Sequence, residues 1–202
     1  MTTNKIDQGS NMHKIKHVIR LCVAILGLAM LQGCASVSMQ PATLVTTVPA
    51  DKALVTFVRP SVFAGDGVGV DIWDGDHYIG GLNAGTLVQY MTTPGHHLFL
   101  GNTENWSYTE ANLEPGKQYF IKANLFPGIL YGRVALGVPK NDDKRFATWL
   151  KYDPKTPNAA DLKAVEEKKH AEVETVIKNF DEGKYTGASH IGPQEGFKNG
   201  EL

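Results

Sequence analysis

VGVDIWDGDHYIGG, residues 68–81, is the stretch that decides the fold. Two strand-sized runs, Val68–Trp73 and Asp76–Gly81, stand on either side of Asp74-Gly75. Asp-Gly is a favoured two-residue hairpin connection, because both central positions of a type I′ turn take positive φ. This pattern predicts a tight antiparallel hairpin. Its register hangs on one residue: were the turn Gly75-Asp76, every side chain of the hairpin would change face.

Outward from the hairpin the same rhythm continues. Ala53–Arg59 (ALVTFVR) stops at Pro60, Thr86–Met91 runs to Pro94-Gly95, and His96–Gly101 leaves that turn. Ser107–Leu113 meets Glu114-Pro115-Gly116-Lys117. Gln118–Leu125 then sends Tyr119, Ile121, Ala123 and Leu125 to one face, and Pro127-Gly128 leads into Ile129–Val138. Short strands at roughly 8–12-residue spacing, with turn chemistry between them, predict a mainly β fold. The expected architecture is an antiparallel β-sandwich of about seven to eight short strands over residues 51–140.

Helical signals appear only afterwards, and predict two C-terminal α-helices within residues 141–183. Asn141-Asp142-Asp143 supplies a cap for a short helix that places Phe146, Trp149 and Leu150 on one face. A longer helix opens near Thr156-Pro157-Asn158 and closes at Gly183. Its stripe of Leu162, Val165, Val173, Val176, Ile177 and Phe180 is interrupted at Lys169. Residues 184–202, Gly-rich and polar, are expected to be disordered.

Upstream of the sandwich, residues 12–34 read MHKIKHVIRLCVAILGLAMLQGC. A basic lead (Lys14, Lys16, Arg20), an apolar block from Leu21 to Leu31 and a small residue before the cut are the marks of a secretory signal. Met12 serves as a start as well as Met1 does. The block is about half of the roughly 20 residues that a spanning helix needs. Leu31-Gln32-Gly33-Cys34 resembles the lipobox of bacterial lipoproteins. That resemblance implies removal of residues 1–33 and a mature chain beginning at Cys34 with two or three acyl chains on the cysteine. One chain gives only marginal binding, at about 0.8 kcal/mol per buried methylene, so the implied anchor is a lasting one. Ala35 stands where Asp implies retention at the inner membrane, so the resemblance favours the outer membrane. Cys22 lies in the apolar block, and no cysteine follows Cys34 to form a disulfide. Residues 34–50 read as a tether, with Leu44-Val45 its one candidate edge strand. The chain has 202 residues and net charge −1, and residues 1–33 hold four of its cations and one of its anions, so the remainder stands at −4. Without a basic surplus, a nucleic-acid partner is not expected.

Four segments carry a second resemblance: ALVTFVRP (53–60), DGDHYIGGL (74–82), TTPGHHLF (92–99) and LEPGKQYFIKA (113–123). Residues 53 to about 150 resemble a family of bacterial envelope lipoproteins known as a domain of unknown function. PEGA-type and carboxypeptidase-regulatory-like sandwiches share the D-G…G and P-G-x-Y rhythm. What the resemblance implies is a small β-sandwich on a lipid tether, with no catalytic residues to carry over.

Few residues suggest chemistry. Gly65-Asp66-Gly67-Val68-Gly69 leads into a strand, whereas a dinucleotide loop opens a helix. Asp71, Asp74 and Asp76 crowd one hairpin without the order of a calcium loop, and turn chemistry accounts for Asp74. His96 and His97 are strand neighbours pointing to opposite faces, so a metal would need one of them plus His77 or a carboxylate from elsewhere. Ser61 and Ser107 lack a nucleophile-elbow setting. No metal, cofactor or catalytic set is expected. Trp73, Tyr78, Tyr90, Trp106 and Tyr108 are either cross-strand packing or an exposed platform for a glycan or protein partner. The apolar loop with Phe126, Ile129 and Tyr131 either closes the end of the core or forms a contact patch.

These features lead to a non-enzymatic, lipid-anchored envelope protein used for protein contact or assembly, on the periplasmic face of the outer membrane. Its expected partners are membrane lipid, through acylated Cys34, and an envelope protein. The rivals are a glycan or cell-wall-fragment binder using Trp73, Tyr78, Trp106 and Tyr108, and, last, a hydrolase or metalloenzyme.

Overall fold

The computed structural model describes residues 37–61 and 66–202. The signal segment, Cys34 and Gly65 lie outside the described residues. Residues 37 to 202 belong to one unit. Eight strands fall where the alternation places them, the last of them starting four residues later than the expected Ile129: β2 Ala53–Arg59, β3 Val70–Asp74, β4 His77–Leu82, β5 Thr86–Thr92, β6 Gly95–Asn102, β7 Trp106–Leu113, β8 Lys117–Phe126 and β9 Arg133–Gly137. Four short strands join them: β1 Met39–Pro41, β10 Asp153–Pro157, β11 Ser189–Ile191 and β12 Phe197–Lys198. The helices are α1 Phe146–Trp149 and α2 Ala159–Asp181.

The described strands form two mixed sheets in a sandwich-like arrangement. One runs β1-β10-β5-β2-β8-β12 with β9 also on β8, and the other runs β11-β7-β6-β3-β4. Hairpin neighbours pair antiparallel as expected. Three pairs are parallel: β2 with β8, β10 with β5, and β11 with β7. Parallel neighbours need a long crossover, so no turn in the sequence announces them.

The inner core lies between the sheets, with Val55, Phe57, Tyr119 and Ile121 facing Ile72, Phe99 and Ala111. Phe57 meets Phe99 edge-to-face at 5.3 Å. β2 is buried on both faces, from Ala53 through Arg59. Its outward residues pair with other elements: Val58 packs with Phe120, Phe146 and Trp149, while Thr56 Oγ1 accepts 2.8 Å from Gln118 Nε2.

The turn of the first hairpin is Gly75-Asp76, since Asp74 pairs with His77. Gly75 has φ +56°, and no described non-glycine residue has positive φ, which fits a type II′ turn led by glycine. The favoured Asp74-Gly75 reading is thereby corrected. A β-bulge follows, because Trp73 pairs with Tyr78 but Ile72 with Gly80, leaving Ile79 as the extra residue. One added residue shifts the facing once. Tyr78 therefore points outward while Ile79 and Leu82 both reach the inner core.

Two linker expectations are corrected. The described part of the tether lies on the body: Met39–Pro41 pairs with β10, Val45 exchanges two hydrogen bonds with the side chain of Gln89, and Val48 is buried. Residues 184–202, expected to be disordered, add β11 to β7 and β12 to β8, with Ile191 in the core. Short runs broken by Pro and Gly give no alternation to read, and their order comes from open sheet edges beside them. The long helix starts and stops as its sequence indicates. Asn158 caps it by accepting from the Ala160 amide at 3.1 Å, and Gly183, at φ +68°, ends it.

Candidate functional site

Trp73, Tyr78, Trp106 and Tyr108 do share one face, the outer side of the β11-β7-β6-β3-β4 sheet, but α2 lies over them. Trp73, Tyr78 and Tyr108 are 1%, 3% and 4% exposed. Trp73 meets Tyr78 edge-to-face at 4.9 Å, and Tyr108 stacks on Phe180 at 5.4 Å and touches Tyr185. Trp106, half-buried, donates from Nε1 to Glu172 at 3.2 Å. A glycan platform needs bare ring faces. These are covered, so the platform reading is corrected: the rings form a second core beneath α2. Tyr90 lies apart from them, beside the inner core and 5.9 Å from the His77 ring.

The break at Lys169 has a cause on the sheet. Asp71 accepts from the Tyr78 hydroxyl at 3.0 Å under the helix. Burial pushes the Asp71 carboxyl up, opposed by that hydrogen bond and by the Lys169 charge. Glu166 then fastens α2 to the hairpin, accepting from the Tyr78 amide at 3.0 Å and pairing with His77 at 2.8 Å. This pair lies in an open polar cleft of about 420 Å³ that also presents Asp76, Glu167 and His170. Among the described residues no three His, Cys, Asp or Glu side chains are grouped to hold a metal.

His96 and His97 do face opposite ways. His96 and His190 both meet Glu110, at 2.9 and 3.2 Å. His97 Nδ1 pairs with Asp74 at 2.8 Å, and its Nε2 lies 2.9 Å from the Thr93 carbonyl. Both ring nitrogens thus face acceptors, an arrangement that suits imidazolium. The Asp74 hydrogen bond, outweighing burial, holds the His97 pKa above the ordinary histidine value. Asp74 is thereby more than a turn residue: it locks the hairpin onto β6.

Apart from Leu202 at the C-terminus, the exposed large hydrophobic residues of the described chain gather in one place. Phe126, Ile129, Leu130 and Tyr131 are 55%, 95%, 77% and 76% exposed, at the tip between β8 and β9. The alternative in which this loop folds over the sandwich end is corrected. The tip is held from below by Glu104. Its carboxylate accepts from the amides of Ile129 at 2.8 Å, Leu130 at 2.7 Å and Gly132 at 2.9 Å, and from that of Tyr131. Those hydrogen bonds, the Tyr131 one first, hold the Glu104 carboxyl below its usual range. Asn105 adds a two-way link, donating to the Val134 carbonyl at 2.9 Å and accepting from its amide at 2.8 Å. A Cβ on Gly128 would stand 2.6 Å from the Glu104 carboxylate, so a larger residue there would displace that carboxylate. Nothing in the sequence around Glu104 signals this clamp, since its partners lie 25 to 28 residues away.

Glu104→Ala is expected to leave the sandwich folded and free the tip. Hydrogen exchange at the amides of residues 129–132 should quicken by roughly tenfold or more, while β2 amides stay protected. Unchanged exchange at the tip would show that the clamp holds nothing.

The tip and the tether stand at opposite ends of the strands. β8 runs parallel to β2 and passes Val58 by four residues to Phe126, whereas Met39 pairs with Pro157 toward the end where β2 begins. Comparisons of the chain with protein-family models, curated proteins and solved structures found no match.

Proposed function

We propose that this chain is a lipid-anchored cell-envelope protein whose sandwich is a non-catalytic docking module. In this reading acylated Cys34 pins it to a bilayer, on the periplasmic face of the outer membrane, and the tip at residues 126–131 makes contact with protein. The observation that carries it is the tip itself: four large apolar side chains in water, three of them on backbone amides bonded to one carboxylate. Flexible loops dissipate binding energy in ordering, and a held one does not. An apolar cluster of this size on a soluble surface marks a contact site. The lipobox resemblance at Leu31–Cys34 supports the anchor, and the position of the tip, away from where the tether joins the body, supports a contact facing away from that anchor.

Mass spectrometry of the native N-terminal peptide tests the first half. A mature terminus at Cys34 carrying acyl chains is expected, and Cys34→Ser should move the protein from the membrane to the soluble fraction. An unmodified thiol, or wild-type protein already soluble, ends the anchor reading. For the second half, a photo-crosslinker at residue 130 should give adducts that one at exposed Lys163, on α2, does not.

A further inference from the structure

The tip comes with a hollow of its own. Beside it lies a groove of about 250 Å³ walled by Val68, Leu125, Phe126 and Tyr131. That is room for the side chains of Ile129 and Leu130, at roughly 100 Å³ each. Knob and hollow therefore share one end of the molecule. A two-fold contact requires such a patch, one whose residue i meets j while j meets i. From this we propose that the occupant of the tip is a second copy of the chain, Ile129 and Leu130 of each copy seated in the groove of the other. The proposal rests on reading the tip as a contact surface and names what covers it.

Area and charge agree with a two-fold pair. The four exposed side chains present on the order of 600 Å² of apolar surface. Covering both copies would remove roughly 1,200 Å², the lower limit of a standard specific interface. Association at micromolar rather than nanomolar concentration follows, since area near that limit leaves little surplus over the cost of joining two bodies. Glu104 would come near its own copy across the axis, yet each carboxylate is met by four amides of its own loop. Its charge is thus compensated before the copies meet.

Sedimentation velocity of the full chain, kept reduced because of Cys22 and Cys34, tests this. Between about 5 µM and about 500 µM the weight-average sedimentation coefficient should rise about 1.3-fold, climbing toward that of a dimer and not beyond it. Leu130→Glu should abolish the rise, and so should Val68→Glu, which alters the groove and leaves the knob intact. Circular dichroism checks that both variants keep the sandwich. A chain that stays monomeric throughout overturns the inference, as does association that Leu130→Glu and Val68→Glu leave unchanged. If the monomer instead binds phosphatidylcholine vesicles through Leu130, the second copy is wrong while the tip remains a docking surface. If the tip variants change neither association nor vesicle binding and residue 130 gives no adducts, both readings fall.

Discussion

Trp73→Ala is expected to lower the unfolding free energy by about 3–5 kcal/mol, the usual cost of emptying a buried Trp site. Against a total of about 5–15 kcal/mol this is a large share. Trp73 is 1% exposed, edge-on to Tyr78 and roofed by the Val165, Val173 and Val176 stripe of α2. Losing the indole leaves a cavity that the sheet, tied by its ladder to β4 and β6, closes poorly. The variant should also loosen α2 first, because the helix rests on these rings more than on any pairing of its own. Urea unfolding followed by the fluorescence of Trp106 and Trp149, with circular dichroism for the helix, reads both effects. A stability change below about 1 kcal/mol would mean the rings are not core, since surface substitutions fall in that range.

Asp74→Ala is the second large effect, at about 2–4 kcal/mol. Removing one partner of a buried ion pair costs about 3–5 kcal/mol where no water reaches it. Here the side chains are 11% and 13% exposed, which trims the figure. The pH dependence has a definite sign. His97 is held above its ordinary pKa in the fold, so the folded state binds its proton more tightly than the unfolded chain does. The stabilisation is complete below about pH 6.5, the ordinary histidine value, and is lost as pH rises through the folded value. Urea midpoints of the wild type should therefore fall on going from pH 6 to pH 9, and His97→Gln should remove that part of the fall. A wild-type midpoint that rises over this range would assign the opposite sign to the pair.

The two variants bear on different faces of the same hairpin, which explains why its register matters. With the turn at Gly75-Asp76, Asp74 becomes the last residue of β3 and turns inward to His97, while Trp73 turns outward beneath α2. The bulge at Ile79 then lets β4 send both Ile79 and Leu82, three residues apart, to the inner core while Tyr78 stays outward. A hairpin without the bulge would turn Ile79 or Leu82 to the wrong side.

By itself the sequence determined the strand-rich class, the places of the eight strands from β2 to β9 except where the last begins, the limits of α2 and the presence of an apolar segment at 125–131. Each of these is a local matter: alternation at period two, Gly and Pro at turns, Asn158 at a helix start and Gly183 at its end. Only the tertiary structure decided the rest. Whether an aromatic ring is core or platform depends on what lies over it, and the answer, α2, comes more than 50 residues later. The order of residues 184–202 and of the tether depends on the free edges of β7, β8 and β10, which alternation within those segments does not encode. The Glu104 clamp and the His97–Asp74 lock join residues far apart in the chain, and proximity of that kind exists only after the sheets have formed.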